Sequence, residues 1–451
     1  MSSTLCIAVA LSSLALMQLS APASSPAGLD SGIKHFATGK GPAQRLHVDG
    51  SAKAGGDGSA AHPFQKIADA IAKTKPGTAV SIHPGTYPGG LWIQKLAGTP
   101  QAPIWIGGIP GKPRPILSGG KEAIHLSRVR YLVVHDLEVR RCSANGINCD
   151  DGGDYGNAAA TQFVVFDNLH IHDIGGTGNQ DGLKLSGLDD YWVLRCRFER
   201  CGGGMSGSGV DHVGCHRGLL AGNHFEDMSG NAIQCKGGSE DIEIRANTLL
   251  RPGARGINLG GSTGFQYFRP PLSKTATNHE ARNIRVLANV INGGDTPFAF
   301  VSSVDCLVAN NTIVDPQTWV FRILQETSSS QGYTFVASSK GRFLNNLVWF
   351  SSKSLRTTVN VGGGTSPQTF QIAGNLWYAH DQPGASKPTL PVTETQAIYG
   401  KDPGIRPPKD YKIPRSSPAR GKGVAFKQAP IRDHGWRAFR KPPAIGAYEA
   451  R

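Results

Sequence analysis

The chain has 451 residues, of which 58 are glycine and 29 are proline, and only 18% carry a charge. This composition indicates many tight turns and argues against a protein built of long surface helices. The formal net charge of +14 favours a polyanionic partner, but the basic residues are not gathered into tails, which disfavours nucleic acid as that partner.

The first 23 residues are predicted to be an export signal. An apolar run over residues 5–17 is followed by Ala21-Pro22-Ala23, which has the pattern of a signal cleavage site. We therefore expect a secreted or periplasmic protein, with residues 24–45 as a flexible lead-in rich in Ser, Ala, Pro and Gly. No later apolar run approaches the length of a membrane span, so no spanning segment is expected.

A short amphipathic helix is predicted over residues 62–73. Apolar residues recur there at helical spacing, from Phe64 to Ile71, and Pro76-Gly77 ends the pattern. Such a helix would cover the open end of a stack of strands, which otherwise exposes unpaired backbone groups. Strands are predicted after it over residues 79–83, 90–93, 103–106 and 115–117.

Nine segments between residues 130 and 380 share the frame apolar-x-x-Asn-x-apolar, although the first three replace the Asn. Their spacing of 22 to 42 residues fits one solenoid coil plus loops of variable length. Asn tolerates left-handed backbone and stacks its amide on an identical neighbour, so we predict a hydrogen-bonded ladder at one turn of each coil. The framed position is held by Leu137, Leu169, Cys196, Asn223, Asn247, Asn289, Asn311, Asn346 and Asn375.

The fold expected from this repeat is all-β, a right-handed parallel β-helix over residues 46–380 with residues 381–451 as an irregular tail packed on it. Seven cysteines remain after the export signal, and an odd number cannot pair completely. Several lie at strand-interior positions, which indicates small apolar residues stacked between coils. One or two disulfides, for example among Cys142, Cys201 and Cys215, are the alternative. Because no C-x-x-C pair exists, a zinc site is not expected.

The second strands of five successive coils can be aligned on one inward apolar residue. Alternation places the next residues on the outer face of the sheet. This outward row is Asn148, Lys184, Asp211, Gln234 and Asn258, and the next outward row holds Asp150, Ser186, Lys236 and Gly260. Such residues are poor strand formers, so their stacking beside the longest loop, residues 260–281, predicts a binding groove. An ordinary solvated face is the alternative.

The motifs Pro84-Gly-Thr-Tyr-Pro-Gly-Gly and Ala97-Gly-Thr-Pro, the Asn-bearing coils and the closing Ile445-Gly-Ala-Tyr-Glu form a familiar pattern. Over residues 47–449 the chain resembles the pectin-lyase-like β-helix superfamily, nearest to bacterial polysaccharide lyases of the alginate lyase and chondroitinase B type. The resemblance implies cleavage of an acidic, uronate-containing polysaccharide by β-elimination. Because this superfamily hosts several reactions, a C5-epimerase, a glycoside hydrolase and a non-catalytic glycan-binding or adhesin solenoid are the alternatives.

A uronate lyase needs a cation for the substrate carboxylate, a base for the α-proton and an acid for the leaving oxygen. We predict Lys236 as the base, because a basic surrounding can lower the pKa of a lysine. A surface lysine without a role is the alternative. Arg255 would neutralise the carboxylate or steady the leaving group, and His212 is the acid–base candidate nearest to the groove. The residues predicted to bind substrate are Lys184, Asp211, Gln234, Asn258, Tyr267, Arg269 and Arg322.

Calcium is another means of neutralising a carboxylate, and no other cofactor is expected. Its predicted ligands are Asp150, Asp151, Asp154 and Asp181, if neighbouring coils bring them together. Ordinary turn residues are the alternative. Asn179-Gln-Asp-Gly182 resembles a motif of polygalacturonases, but the next coil has one carboxylate where paired carboxylates are expected, which disfavours hydrolysis. We expect a monomer that acts on an acidic polysaccharide.

Overall fold

A computed structural model describes residues 33–176, 178–204, 206–355, 357–429 and 432–450. The predicted export signal and most of the predicted lead-in lie outside the described residues. From Gln44 onward the chain winds into coils, and the strands of successive coils pair in parallel to form three sheets. These are a fifteen-stranded, a ten-stranded and a twelve-stranded sheet, and the architecture is a parallel β-helix.

Successive strands along the chain belong to different sheets, so most coils contribute a strand to each sheet. The fifteen-stranded sheet contains Gln44–Val48, Thr78–Ile82, Ile104–Gly108, Arg130–His135, Thr161–Asp167, Leu188–Leu194, His216–Ala221, Ser239–Glu240, Glu243–Arg245, Ala281–Arg282, Arg285–Leu287, Ser303–Val304, Leu307–Ala309, Arg342–Leu344 and Gln371–Ala373. The ten-stranded sheet contains Leu91–Gln94, Ile124–Ser127, Ile147–Asp150, Leu183–Ser186, Ser208–Val213, Asn231–Lys236, Arg255–Gly260, Phe298–Val301, Phe321–Leu324 and Val359–Val361. The twelve-stranded sheet contains Thr86–Pro88, Ile116–Ser118, Glu138–Arg140, His170–His172, Arg197–Glu199, His224–Glu226, Thr248–Leu250, Val290–Asn292, Thr312–Val314, Leu347–Phe350, Leu376–Ala379 and Ile398–Tyr399.

An α-helix, Ile67–Ala72, lies near the N-terminal strands, as the sequence predicts, but it begins later than residue 62. The backbone of Phe64 is the reason, because it pairs with the first strand: its N–H donates to His47 O and its carbonyl accepts from Asp49 N. Short 3₁₀ turns occupy Phe265–Tyr267, Pro367–Thr369 and Pro383–Ala385. Within the described residues no helix is long and apolar enough to cross a membrane.

Stacked apolar side chains fill the interior of the coils. Phe198 and Phe225, on adjacent strands, stack with ring centroids 4.8 Å apart, and both are fully buried. Burying a side chain of this size stabilises the fold by about 1.5–3 kcal/mol. The seven cysteines from Cys142 to Cys306 are free and buried among these residues, as predicted for small apolar side chains, and no disulfide joins them.

The predicted asparagine ladder is present and fully buried. From Asn223 to Asn346, each side-chain Nδ2 donates to the Oδ1 of the Asn on the next coil at 2.9–3.1 Å, and the ladder consists of Asn223, Asn247, Asn289, Asn311, Asn346 and Asn375. These Asn residues do not themselves make the left-handed bend of the turn. The residue before each of them has the positive φ, for example Ala246 and Ala288, so the preceding residue makes the bend while the amide points inward.

The C-terminal part of the chain contacts the coils along the twelve-stranded sheet. Ile405, Ile413 and Ile445 are buried in one cluster with Leu347 and Leu376 of that sheet. Backbone groups join the contact as well, since Asn310 Nδ2 donates to Ala444 O at 2.9 Å. The last strand of the sheet, Ile398–Tyr399, lies about twenty residues beyond the predicted end of the β-helix.

Candidate functional site

The outer face of the ten-stranded sheet carries the predicted polar row in register. Asn148 pairs with Lys184, Lys184 with Asp211, Asp211 with Gln234, and Gln234 with Asn258. The inward row beneath it, from Ile147 to Ile257, is fully buried, and this burial fixes the register because a slip of one residue would turn it outward. The predicted alignment of these five coils is confirmed.

The prediction for the second outward row named no residue on the coil of Asp211, and the structure places Val213 there. Asp150 pairs with Ser186, Ser186 with Val213, and Val213 with Lys236, so an apolar residue fills the place between Ser186 and Lys236. Lys236 ends its strand, and the chain turns there at Gly237, which has a positive φ.

Two lysine ammonium groups share one buried carboxylate at the centre of this face. Asp211 has no exposed surface, and one of its oxygens contacts both Lys184 Nζ and Lys236 Nζ, the latter at 3.5 Å. Lys184 Nζ also lies 3.3 Å from an oxygen of Asp181, which is almost completely buried. Lys236 Nζ further donates to Gln234 Oε1 at 3.4 Å. The four charged side chains therefore form one network, in which Lys236 contacts an anion, whereas the sequence predicted a basic surrounding.

The charges in this network are set by competition between burial and pairing. Burial by itself disfavours the ammonium of Lys184, but the charges of Asp211 and Asp181 outweigh it and hold the Lys184 pKa well above its ordinary value. Burial disfavours the carboxylate of Asp211 too, yet Lys184 and Lys236 keep the Asp211 pKa below its ordinary value. For Asp181 the effect of burial is larger than the effect of the Lys184 charge, and the Asp181 pKa is raised to about 6.

Lys184 and Lys236 face open clefts, whereas Asp181 and Asp211 lie beneath them. A cleft of about 460 Å³ is lined by Asp150, Tyr155, Lys184, Lys236, Tyr267 and neighbouring residues. A second cleft of about 470 Å³ is lined by Asn231, Gln234, Lys236, Arg255, Asn258 and Glu326 among others. Asn179, Lys236 and Ser262 line both, so the two clefts adjoin, and together we call them the groove. Lys236 lies at their junction.

The long loop over residues 260–281 forms one wall of the groove. Its Tyr267, which was predicted to contact substrate, is 50% exposed and lines the first cleft. Arg269, which was also predicted to bind substrate, lines the same cleft. The Arg269 guanidinium is buried, donates to both carboxylate oxygens of Asp151 at 2.6 and 3.1 Å, and lies 4.0 Å from the ring centre of Tyr155. It holds the loop against the coils.

The calcium ligands predicted from sequence do not come together as a site. Asp151 forms an ion pair with Arg269. Asp150 accepts hydrogen bonds from His125 Nε2 and Asn148 Nδ2 at 2.8 and 2.9 Å. Asp154 accepts from Asn157, and Asp181 belongs to the lysine network. Hard cations need several oxygens converging on one point. These four carboxylates serve other partners, so they do not fit a calcium ion, and we derive no step through a metal.

His212 is not at the groove, and its prediction as the nearest acid–base group is wrong. Its side chain has no exposed surface and points into the coil, in the inward row between Leu185 and Cys235. Its Nδ1 lies 2.7 Å from Gln234 O, and burial lowers its pKa to about 4. Alternation along the strand places it inside because Asp211, the residue before it, faces out.

Two predicted arginines lie farther along the same face. Arg255 lines the second cleft and forms an ion pair with Glu326. Arg322 donates to Asn360 Oδ1 at 2.9 Å and its guanidinium lies 4.4 Å from the ring centre of Trp319. Burial and the charge of Arg255 lower the Arg322 pKa from its ordinary value. Arg255 therefore reaches the groove, but through a different cleft from Lys184.

The sequence analysis missed Glu280, which fixes the end of the Lys236 strand. This carboxylate is fully buried and accepts hydrogen bonds from Gly237 N at 2.7 Å, Thr263 N at 2.8 Å and the hydroxyls of Thr263 and Thr327. A lone Glu at the end of a loop carries no sequence signal for such a role, because its partners come from three separate segments.

Comparison with known proteins agrees with this architecture. The profile of a family described as "Right handed beta helix region" matches residues 122–269. The crystal structure of pectate lyase Pel9A superposes with a TM-score of 0.58 at 16% identity, covering 93% of this chain and 98% of that chain. A structure titled "Glycoside hydrolase" gives 0.52 at 10% identity, covering 72% and 96% of the two chains, and XylC in complex with xylose gives 0.52 at 10% identity, covering 80% and 87%.

No curated protein matches the sequence. At these identities the likeness to solved structures concerns the fold alone. Together with the three parallel sheets, it identifies the fold as a right-handed parallel β-helix.

Proposed function

We propose that this chain is a carbohydrate-active enzyme that cleaves a uronate-containing polysaccharide by β-elimination in the groove. One observation carries the proposal: Lys184 and Lys236 present two amines to the first cleft, while their shared counter-ion, Asp211, is buried beneath them. An anionic sugar entering the cleft meets cations first, and their positive charge attracts it.

The two lysines take different roles. Because Asp211 and Asp181 hold the Lys184 pKa above its ordinary value, Lys184 stays protonated and pairs with the substrate carboxylate. This pairing makes the neighbouring C5 proton more acidic, since the negative charge that develops as the proton leaves is stabilised. Lys236, at the junction of the two clefts, is the proposed base, and it releases its own proton to water before it accepts the C5 proton.

The bonds balance in one elimination. The Lys236 amine takes the proton from C5, the electrons of that C–H bond form a C4–C5 double bond, and the C4–O bond breaks. The leaving oxygen takes a proton from water in the open groove. Arg255 and Glu326, in the second cleft, contact the sugar on the far side of Lys236.

Hydrolysis by paired carboxylates is less well supported by this arrangement. That mechanism places two carboxyl groups on either side of the glycosidic bond. Asp181 and Asp211, the two carboxylates nearest to the lysines, are buried under them and line neither cleft.

Proton removal from C5 is shared with epimerisation, which therefore remains an outcome of the test. The export signal predicted over residues 1–23 would bring such an enzyme to an extracellular or periplasmic polysaccharide.

The test is incubation of the protein with alginate, pectate, glycosaminoglycans and glucuronan. β-Elimination generates ultraviolet absorbance from the unsaturated product. Reducing ends without absorbance would mean hydrolysis, exchange of the C5 proton without scission would mean epimerisation, and binding without any reaction would mean a glycan-binding protein.

Substitution of the proposed base tests the site. Lys236→Ala and Lys236→Arg should each lower kcat by about 100-fold or more, because Arg restores the charge but does not act as a base. Lys112→Ala, which removes an exposed lysine on a turn, is the control and should leave the rate unchanged. Activity that survives in both Lys236 variants would contradict the assignment.

A further inference from the structure

The polar row of the ten-stranded sheet continues past the groove to an exposed tryptophan. Toward the N-terminus, Asn148 pairs with His125 and His125 pairs with Trp92, all on the outer face. Trp92 is 60% exposed, whereas the indole of Trp377, a typical core residue, is fully buried. An apolar ring of this size is costly to leave in water, and such side chains are frequent at binding surfaces.

Trp92 is held in a fixed orientation. Its ring stacks on the imidazole of His125, with centroids 3.9 Å apart and planes inclined by 27°. His125 is itself held at both nitrogens, because Nδ1 lies 2.7 Å from Glu122 Oε2 and Nε2 lies 2.8 Å from Asp150 Oδ2. One face of the indole is therefore covered by a rigid imidazole, and the other is left to solvent. A flat, immobile apolar face is ready to bind at little cost in side-chain entropy.

This platform is connected to the groove through Asp150. The same carboxylate that accepts from His125 also lines the first cleft, beside Lys184. Trp92 and Lys236 lie on strands five steps apart in the sheet, which corresponds to about 24 Å at the usual strand spacing of about 4.8 Å. A ligand that touches both must be an extended chain of several linked rings.

We propose that Trp92 is a sugar-binding platform for a remote ring of the same polysaccharide whose cleavage we assign to the groove. The inference rests on the proposed function only in taking a polysaccharide as the ligand. The apolar C–H face of a pyranose stacks on the exposed face of the indole. The protein then favours long chains over fragments.

The experiment compares Trp92→Ala with a matched control, Trp349→Ala. Trp349 stacks on His380 with centroids 3.7 Å apart, but it lies on the twelve-stranded sheet. On long chains Trp92→Ala should raise KM roughly three- to tenfold with kcat unchanged, the size expected for losing one aromatic stacking contact. On fragments too short to span from Lys236 to Trp92, its KM should equal that of the unsubstituted protein. Trp349→Ala should change neither.

Two results would overturn the platform. One is an unchanged KM of Trp92→Ala on long chains, and the other is an equal rise in KM on long chains and on short fragments. The proposed function can fail separately, so retention of the polymers in affinity electrophoresis is measured too. If no polymer is turned over but one is retained, weaker retention of Trp92→Ala than of Trp349→Ala supports the platform, and equal retention refutes it. Retention of no polymer by the unsubstituted protein refutes both proposals.

Discussion

The asparagine ladder allows a quantitative prediction about stability at Asn289. Asn289 is fully buried, and its Oδ1 accepts from the backbone N and the Nδ2 of Asn247, both at 2.9 Å. Its Nδ2 donates to Ile244 O at 2.9 Å and to Asn311 Oδ1 at 3.0 Å. Asn289→Leu removes all four of these hydrogen bonds. Leucine fits this place in the coil, because Leu137 and Leu169 hold it in earlier coils.

The expected cost follows from these partners. A hydrogen bond contributes a net of about 1 kcal/mol, so four account for about 4 kcal/mol. The buried backbone N–H of Asn247 loses its acceptor, which puts the cost at or above that figure rather than below it. Since whole domains are stable by only about 5–15 kcal/mol, the substitution should remove a large share of the stability.

Urea unfolding followed by circular dichroism measures this loss. Cys196→Ala is the control, because the backbone N–H of Cys196 still donates to Asn223 Oδ1 at 2.9 Å and only the weak donations of the thiol to Phe166 O and Leu194 O are removed. It should cost about 1 kcal/mol. If Asn289→Leu destabilises the protein no more than Cys196→Ala does, the ladder is not the source of stability that its geometry indicates.

Two further predictions concern buried charge. Burial lowers the His212 pKa to about 4, so the stability from keeping this imidazole neutral is full above pH 6.5 and is lost as the pH falls toward 4. Between pH 7 and pH 4 the unsubstituted protein should lose on the order of 3 kcal/mol more than His212→Leu, and parallel pH profiles from urea unfolding would contradict this. Arg269→Leu should cost about 3–5 kcal/mol by leaving the Asp151 carboxylate buried and unpaired. The double variant Arg269→Leu/Asp151→Asn should recover much of the loss, and a double-mutant cycle without coupling would show that the pair is not formed.

The face that carries the proposed chemistry was partly predictable from sequence. Alternation along the strands and the buried inward row determine register, so the neighbours Lys184, Asp211 and Gln234 were predicted correctly. The same alternation places His212 inside the coil. Its prediction as an acid–base group failed because an imidazole suits that chemistry only where it reaches the groove, and its position in the strand prevents this. The burial of Asp211 was not predictable, since it depends on two lysine side chains from neighbouring coils closing over it.

What the sequence by itself determined is the repeat. Asparagine at one phase and apolar residues at period two each act between adjacent coils, so a local pattern is enough to specify a stacked β-helix and its outward rows. Only the tertiary structure decided how the loops meet the coils. Arg269 finds Asp151 across 118 residues, and Glu280 joins three segments, because those contacts depend on the path of a loop that carries no repeat. The pKa values of Lys184 and Asp181 also depend on the tertiary structure. Burial and ion pairing shift each pKa in opposite directions, and only the folded geometry determines which effect is larger.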